Sequence, residues 1–339
     1  MNAMNVVLPA LSSSVSLLFA ALVLQQWWRR RRSFQLVWAL GLLWYGIGSG
    51  TEFLGSAFGW NAALYRAWYL FGALLVAAYL GAGTVQLLAR TRFGYFAAVA
   101  VLLGGLLALA VSARYPGSRA TALVVLGTSL LAAAALVALT AVRRDLTGPA
   151  LMAFLIAASL AVAVVVLTAP LAAPGYATDP QTHVPVGSAF PGYVRVLSGP
   201  FNVAGALCLV FGALFSAYVY MPKRKLLRGR RLPPVVAQAY GAAAVAVNLV
   251  ASLPRAGRAL VAGRLNSRVP ATLLIALGGF VPGVTSGLNR FGVTWSFFLG
   301  ELLGVLLILA GFLVSEEILR DLPGLLPRRA AKAEAEGML

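Results

Sequence analysis

Two carboxyl side chains, Glu52 and Glu301, sit inside long apolar runs of a chain with only nine acidic residues. An ionisable group among hydrocarbon side chains is costly, and such groups mark binding sites, relays or pairs. Arg66 lies at the start of the apolar run that follows Glu52. A short connection makes it a neighbour of Glu52, so the two are expected to pair across a helix hairpin, as a structural lock or as part of a ligand grip. Aromatics crowd the same stretch, with Trp44, Trp68 and Tyr69 as the candidate ligand contacts and Trp38, Tyr45, Phe53, Trp60 and Tyr65 around them. Rings beside a charge pair hold apolar or cationic small molecules, and rings at a membrane interface also settle there unaided.

Glu301 is the candidate for proton or cation binding. It follows Gly300 in a Gly300–Gly304 pair at GxxxG spacing, with Gly311 on the same face, a pattern that admits a close helix neighbour. Glu301 therefore flanks a packing face, with Arg290 its nearest expected partner. The preceding run carries GGFVPGVTSG, and Pro282 within it predicts a kink or a broken helix. Broken helices form substrate sites in transporters.

Other chemistry lacks its residues. A single histidine, His183, gives neither a bis-histidine haem site nor a histidine metal cluster. Lysine is absent from every apolar run, so a retinal Schiff base has no attachment point. There is no HExxH, phosphate-binding loop or dinucleotide fingerprint. The lone Cys208 can form no intrachain disulfide. No cofactor and no metal are expected, and no catalytic constellation supports an enzyme.

These residues must be positioned by membrane helices. The 339 residues are 60% hydrophobic and 11% charged, with mean hydropathy +0.87, too apolar to cover a soluble surface. Runs of spanning length occur at about 6–26, 34–54, 64–88, 93–112, 120–142, 149–170, 200–221, 271–289 and 294–315. Each must be helical, because lipid offers the backbone no hydrogen bonds. The fold class is thus an all-α polytopic bundle of about nine spans. Residues 1–222 form a seven-helix bundle, 223–270 a basic cytoplasmic or interfacial insert, 271–316 a two-helix hairpin and 317–339 a cytoplasmic polar tail.

The net charge of +18 invites a nucleic-acid reading, but most of the charges lie in turns between apolar runs. Basic turns orient a membrane protein. With nine spans and the N-terminus outside, 22 of the 27 basic residues fall inside and five outside. Counting 234–252 as a further span gives 15 against 12, so that segment is expected to lie on the membrane. The stretch before the first basic cluster, Arg29–Arg32, has no basic residue, as in an uncleaved first span. The insert opens KRKLLRGRR and reads as a plain basic linker or as interfacial helices, with anionic lipid headgroups, and possible protein partners, at 223–270. Outside, the proline-rich stretch Leu171–Pro200 reads as a surface loop or a lid over the outer mouth.

Three functions fit. A sensor or small-ligand-binding protein of the cell membrane uses the Glu52/Arg66 region. A transporter or permease-like protein uses the broken eighth run and Glu301. A non-catalytic assembly subunit needs only the glycine face.

Overall fold

The computed structural model describes residues 4–227, 234–289 and 296–315. Among these the chain is helical, without a sheet; an isolated bridge joins Thr178 and Pro185. Every expected apolar run folds as helix: α1 (Met4–Arg30), α2 (Ser33–Phe58), a continuous helix built of α3 (Ala62–Ala67), a π-helical segment (Trp68–Leu75) and α4 (Val76–Leu87), then α5 (Phe93–Ser112), α6 (Arg119–Val142) and α7 (Thr147–Thr168). A short α8 (Gly192–Arg195) leads into α9 (Ser198–Tyr220), and α10 (Pro234–Val261), α11 (Arg268–Asn289) and α12 (Ser296–Val314) complete the described chain. It is a polytopic α-helical membrane bundle.

Burial sorts the helices into a centre and a rim. The helix Ala62–Leu87 has 61% of its apolar window buried, against 28% for the α6 and α7 spans. The rim helices expose Leu131, Val124, Leu160 and Val164, an apolar surface that only lipid can cover. α2 is central too, with 13 of its 26 residues buried. That position explains its composition. Nine described helices are long and apolar enough to cross a membrane, and α2, with Gln35, Glu52 and a Gly/Ser run, is not among them. Yet 26 residues reach about 39 Å at 1.5 Å per residue, enough to cross, and neighbouring helices rather than lipid surround its polar groups.

α10 qualifies on composition, through Ala243–Val261. Its packing is of another kind. Ala256 and Leu249 meet Ala217, Met221 and Val269, where α9 ends and α11 begins, while α9 and α11 run antiparallel beside each other, with Gly279 against Leu209 and Val210. The plain-linker reading of the insert is corrected: α10 is a long helix clasped to the chain after α9. Of the two forms expected at Pro282, a kink or a break, α11 does not take the break. It is one unbroken helix through Pro282, and Thr285 Oγ1 donates back to the Val281 carbonyl at 3.1 Å.

Candidate functional site

Three helix faces converge on one seam. At 100° per residue, Trp38, Leu42, Tyr45, Ser49 and Glu52 share a face of α2, and Glu301, Val305, Ile308 and Phe312 share a face of α12. On α1 the matching face is Ser12, Ser16, Phe19 and Val23, all buried. Phe312 ties the three helices together, its ring centroid 4.9 Å from Phe19 and 4.8 Å from Trp38. This end of the seam is aromatic and dry. The other end is polar.

There two glutamates meet, Glu52 buried and Glu301 half-buried with its Oε2 shut away from solvent. The carboxyl groups of Glu52 and Glu301, 249 residues apart in sequence, come together in the seam. The Trp68 indole Nε1 donates to Glu52 Oε1 at 2.9 Å, and the Tyr45 hydroxyl donates to the Glu301 backbone carbonyl at 2.7 Å. The Oε2 atoms of both carboxyls, and the hydroxyls of Ser12 and Ser16, are buried with no hydrogen-bond partner among the described residues. Like charges held together away from water repel strongly, and a proton on either carboxyl removes that repulsion.

Glycine sets the approach of the backbones. A Cβ on Gly48 of α2 would stand 2.6 Å from the Cα of Gly72 in the π segment, and that closeness brings the Trp68 indole over Glu52. On α12, a Cβ on Gly300 would stand 2.0 Å from Thr285 Oγ1 and one on Gly304 2.5 Å from Pro282 Cγ. The glycine face therefore packs on α11, as its spacing suggests, and Glu301 projects beside it toward α2. Short π-helical insertions often lie at functional sites, because the widened turn re-aims side chains.

The expected Glu52–Arg66 pair does not form. Arg66 and Trp68 are two residues apart, about 200° round the helix, so when Trp68 faces α2, Arg66 faces α7. Its guanidinium donates to the carbonyls of Val166 and, at 2.8 Å, Ala169, at the C-terminus of α7. Those carbonyls lack helical partners and carry the negative end of the dipole, so Arg66 is a cap. Trp44 lies about 80° round α2 from Glu52, stacked on Phe71 at 4.9 Å with its edge toward Tyr79. The expected Arg290 partner of Glu301 lies outside the described residues.

Tyr69 joins an aromatic layer beneath the loop between α7 and α8. Phe190 of that loop is buried, 5.2 Å from the Tyr65 ring and 4.5 Å from Tyr69. Tyr65 OH donates to the Val186 carbonyl at 2.5 Å, and Asn5 Nδ2 from α1 donates to the Thr182 carbonyl at 2.7 Å. The stretch is therefore no featureless surface loop; it is anchored over the end of the helices where the carboxyls lie. Sequence reasoning missed Ser12, Ser16, Ser49 and the role of Tyr45. The pair Ser12/Ser16, four apart in an apolar run, was the available signal.

A second polar region lies at the opposite end of α9. Asn248, buried on α10, accepts at Oδ1 from the N–H groups of Leu226 (2.7 Å) and Leu227 (3.0 Å) and donates to the Leu227 carbonyl at 2.9 Å. Ser252 Oγ accepts from the Arg224 N–H at 2.8 Å, and Arg255 donates to the Lys223 carbonyl at 2.9 Å. No known protein family, curated protein or solved structure matches the chain.

Proposed function

We propose that this chain is a proton-linked membrane protein of the transporter or permease kind, with the Glu52–Glu301 pair as its coupling site. The observation behind this reading is the meeting of two carboxyls, Glu52 and Glu301, from different helices in one seam, each with its Oε2 shut away from solvent and unpartnered among the described residues. A proton on the pair holds α12 against α2; its loss leaves two adjacent anions in a poorly screened place and drives the helices apart. The seam is polar around the carboxyls and closed by Phe19, Trp38 and Phe312 beyond them, so proton and substrate enter from the carboxyl side. The unbroken α11 moves the coupling site from Pro282 to the α2–α12 contact.

The orientation belongs to the same proposal. The chain spans the cell membrane nine times, N-terminus outside and C-terminus in the cytoplasm, which puts the carboxyls in the outer half and α10 on the inner surface, its arginines among anionic headgroups. A second reading, a small-ligand sensor, is favoured by the layer of Tyr65, Trp68, Tyr69 and Phe190 closed over by the α7–α8 loop.

Infrared difference spectroscopy on the reconstituted protein, with the pH stepped on the outer side, tests the coupling site. A protonated-carboxyl band that changes with outer pH and is lost in E52Q and in E301Q is the expected result. A band indifferent to both substitutions, or to pH, overturns the proposal. Proton flux into proteoliposomes separates the readings: the transporter carries it, whereas the sensor carries none and answers ligand by movement of the loop.

A further inference from the structure

The chain leaving α9 and the flank of α10 enclose an open groove of about 850 Å³. Its rim carries Lys223, Arg224, Lys225 and Arg255, and no acidic residue is among those lining it. We infer that this groove seats the phosphate headgroup of an anionic phospholipid, an inference that rests on the reading of α10 as an element of the inner membrane surface.

Four observations carry it. The first is charge: four cations around one concavity attract an anion and repel one another without it, and guanidinium pairs with phosphate through a two-pronged fork. The second is construction. Asn248 and Ser252 fix the Arg224–Leu227 backbone by four hydrogen bonds, and the Lys223 carbonyl is held by Arg255, so the stems of the cations start from a pinned chain. Lys223 is steadied further over the Tyr218 ring, 5.5 Å from its centroid.

The third is the neighbouring surface. Val236, Val247, Val250, Leu253, Leu260 and Val261 of α10 are exposed and fall within an arc of about 140° at 100° per residue. The buried Asn248, Ser252 and Ala256 lie on the opposite side. An apolar arc beside a cationic groove fits a lipid: acyl chains along the arc, phosphate in the groove. A soluble anion uses the groove and leaves the arc uncovered. The fourth is level. The groove opens where α9 ends, beside Arg268, whose guanidinium lies 4.9 Å from the Tyr220 ring centroid and bonds its hydroxyl at 2.6 Å, the aromatic–cation arrangement of a headgroup boundary.

The test uses the full chain in nanodiscs of phosphatidylcholine with a minor share of phosphatidylglycerol, and native mass spectrometry of the lipid that stays bound after detergent release. The wild type should retain phosphatidylglycerol severalfold above its share. K223Q/R255Q should retain it in proportion, and R255K, which keeps the charge but loses the fork, should retain an intermediate share. An unchanged preference in K223Q/R255Q overturns the inference, as does displacement of the lipid by millimolar glycerol phosphate, which marks a soluble anion as the occupant. Val250→Cys probes the underlying reading separately. Slow reaction with a water-soluble maleimide places the arc in lipid, whereas rapid reaction removes α10 from the membrane surface whatever the lipid ratio.

Discussion

The Glu52–Glu301 seam and the Lys223–Arg255 groove are two concentrations of polar side chains, and they are built in opposite ways. The seam is acidic, buried, and formed by residues far apart in sequence whose backbones approach through glycine. The groove is basic, open to its surroundings, and formed by two segments about 30 residues apart, held by side-chain clasps. Carboxyls can be taken out of water because a proton removes their charge. Guanidinium groups keep theirs at any physiological pH, so they stay at a wet boundary or cap a helix end, as Arg66 does. Burial here follows the side chain's ability to shed charge.

The largest expected effect breaks that comparison at the backbone. Gly48→Leu pushes a side chain into the space of the Gly72 Cα, and overpacking of this kind costs about 1–3 kcal/mol or more. Gly257→Leu on α10 meets open space, with nothing within 4 Å of its Cβ position. Thermal unfolding in detergent should fall clearly for the first and stay level or rise slightly for the second, because glycine inside a helix is itself unfavourable by about 1 kcal/mol. Equal melting temperatures mean that the seam is not tightly packed.

Hydrogen bonds come next. Trp68→Phe keeps the ring and removes the donor to Glu52, at a cost of about 1–2 kcal/mol, and it should also shift the protonated-carboxyl infrared band. Asn248→Ala releases the turn at Leu226 and Leu227 and should cost about 1 kcal/mol of global stability or less, because the freed N–H groups find water or headgroups. Its larger effect is local: faster proteolysis after Lys223 or Lys225 and a weaker lipid preference. If Asn248→Ala destabilises as much as Trp68→Phe, the groove belongs to the core after all.

Much of the fold was legible because the membrane imposes it. Apolar runs of spanning length leave the backbone one solution, and all nine became helices. The site was legible in its members and obscure in its pairing. Glu52 and Glu301 stood out singly as charges among apolar residues, but their contact depends on how α1, α2 and α12 close, which no local pattern records. The partner of Arg66 was misread because adjacency of helix ends says nothing about which way a residue turns; Trp68 took the face toward α2. Pro282 suggested a break, yet α11 runs through it with α12 packed alongside, while the π segment at Trp68–Leu75 has no proline to announce it. Asn248 was visible in an otherwise apolar stretch, but its role as a clasp appears only once the turn before α10 lies beside it.

A third carboxyl sharpens the comparison with the smallest effect. Asp179, in the loop anchored over the seam, lies in water, with its Oδ1 accepting from Thr182 N–H, Gln181 N–H and Thr182 Oγ1, each at 3.0 Å. The Thr182 N–H bond, with those that accompany it, holds its pKa below the ordinary carboxylate range. The sign follows from that depression. The ionised form is favoured by folding, so its contribution is present above the ordinary range and is lost as pH falls through the depressed value of the folded loop. Solvent screening keeps it small. Acidification should therefore loosen the Asp179–Val184 turn locally and weaken the Asn5–Thr182 tie, seen as faster amide exchange in the loop while the helices hold. Asp179→Asn accepts the same bonds without charge and should make loop exchange independent of pH in that window. A loop that loosens equally in D179N owes its acid sensitivity to another group, and the contrast between carboxyls in water and carboxyls in the seam then rests on the buried pair alone.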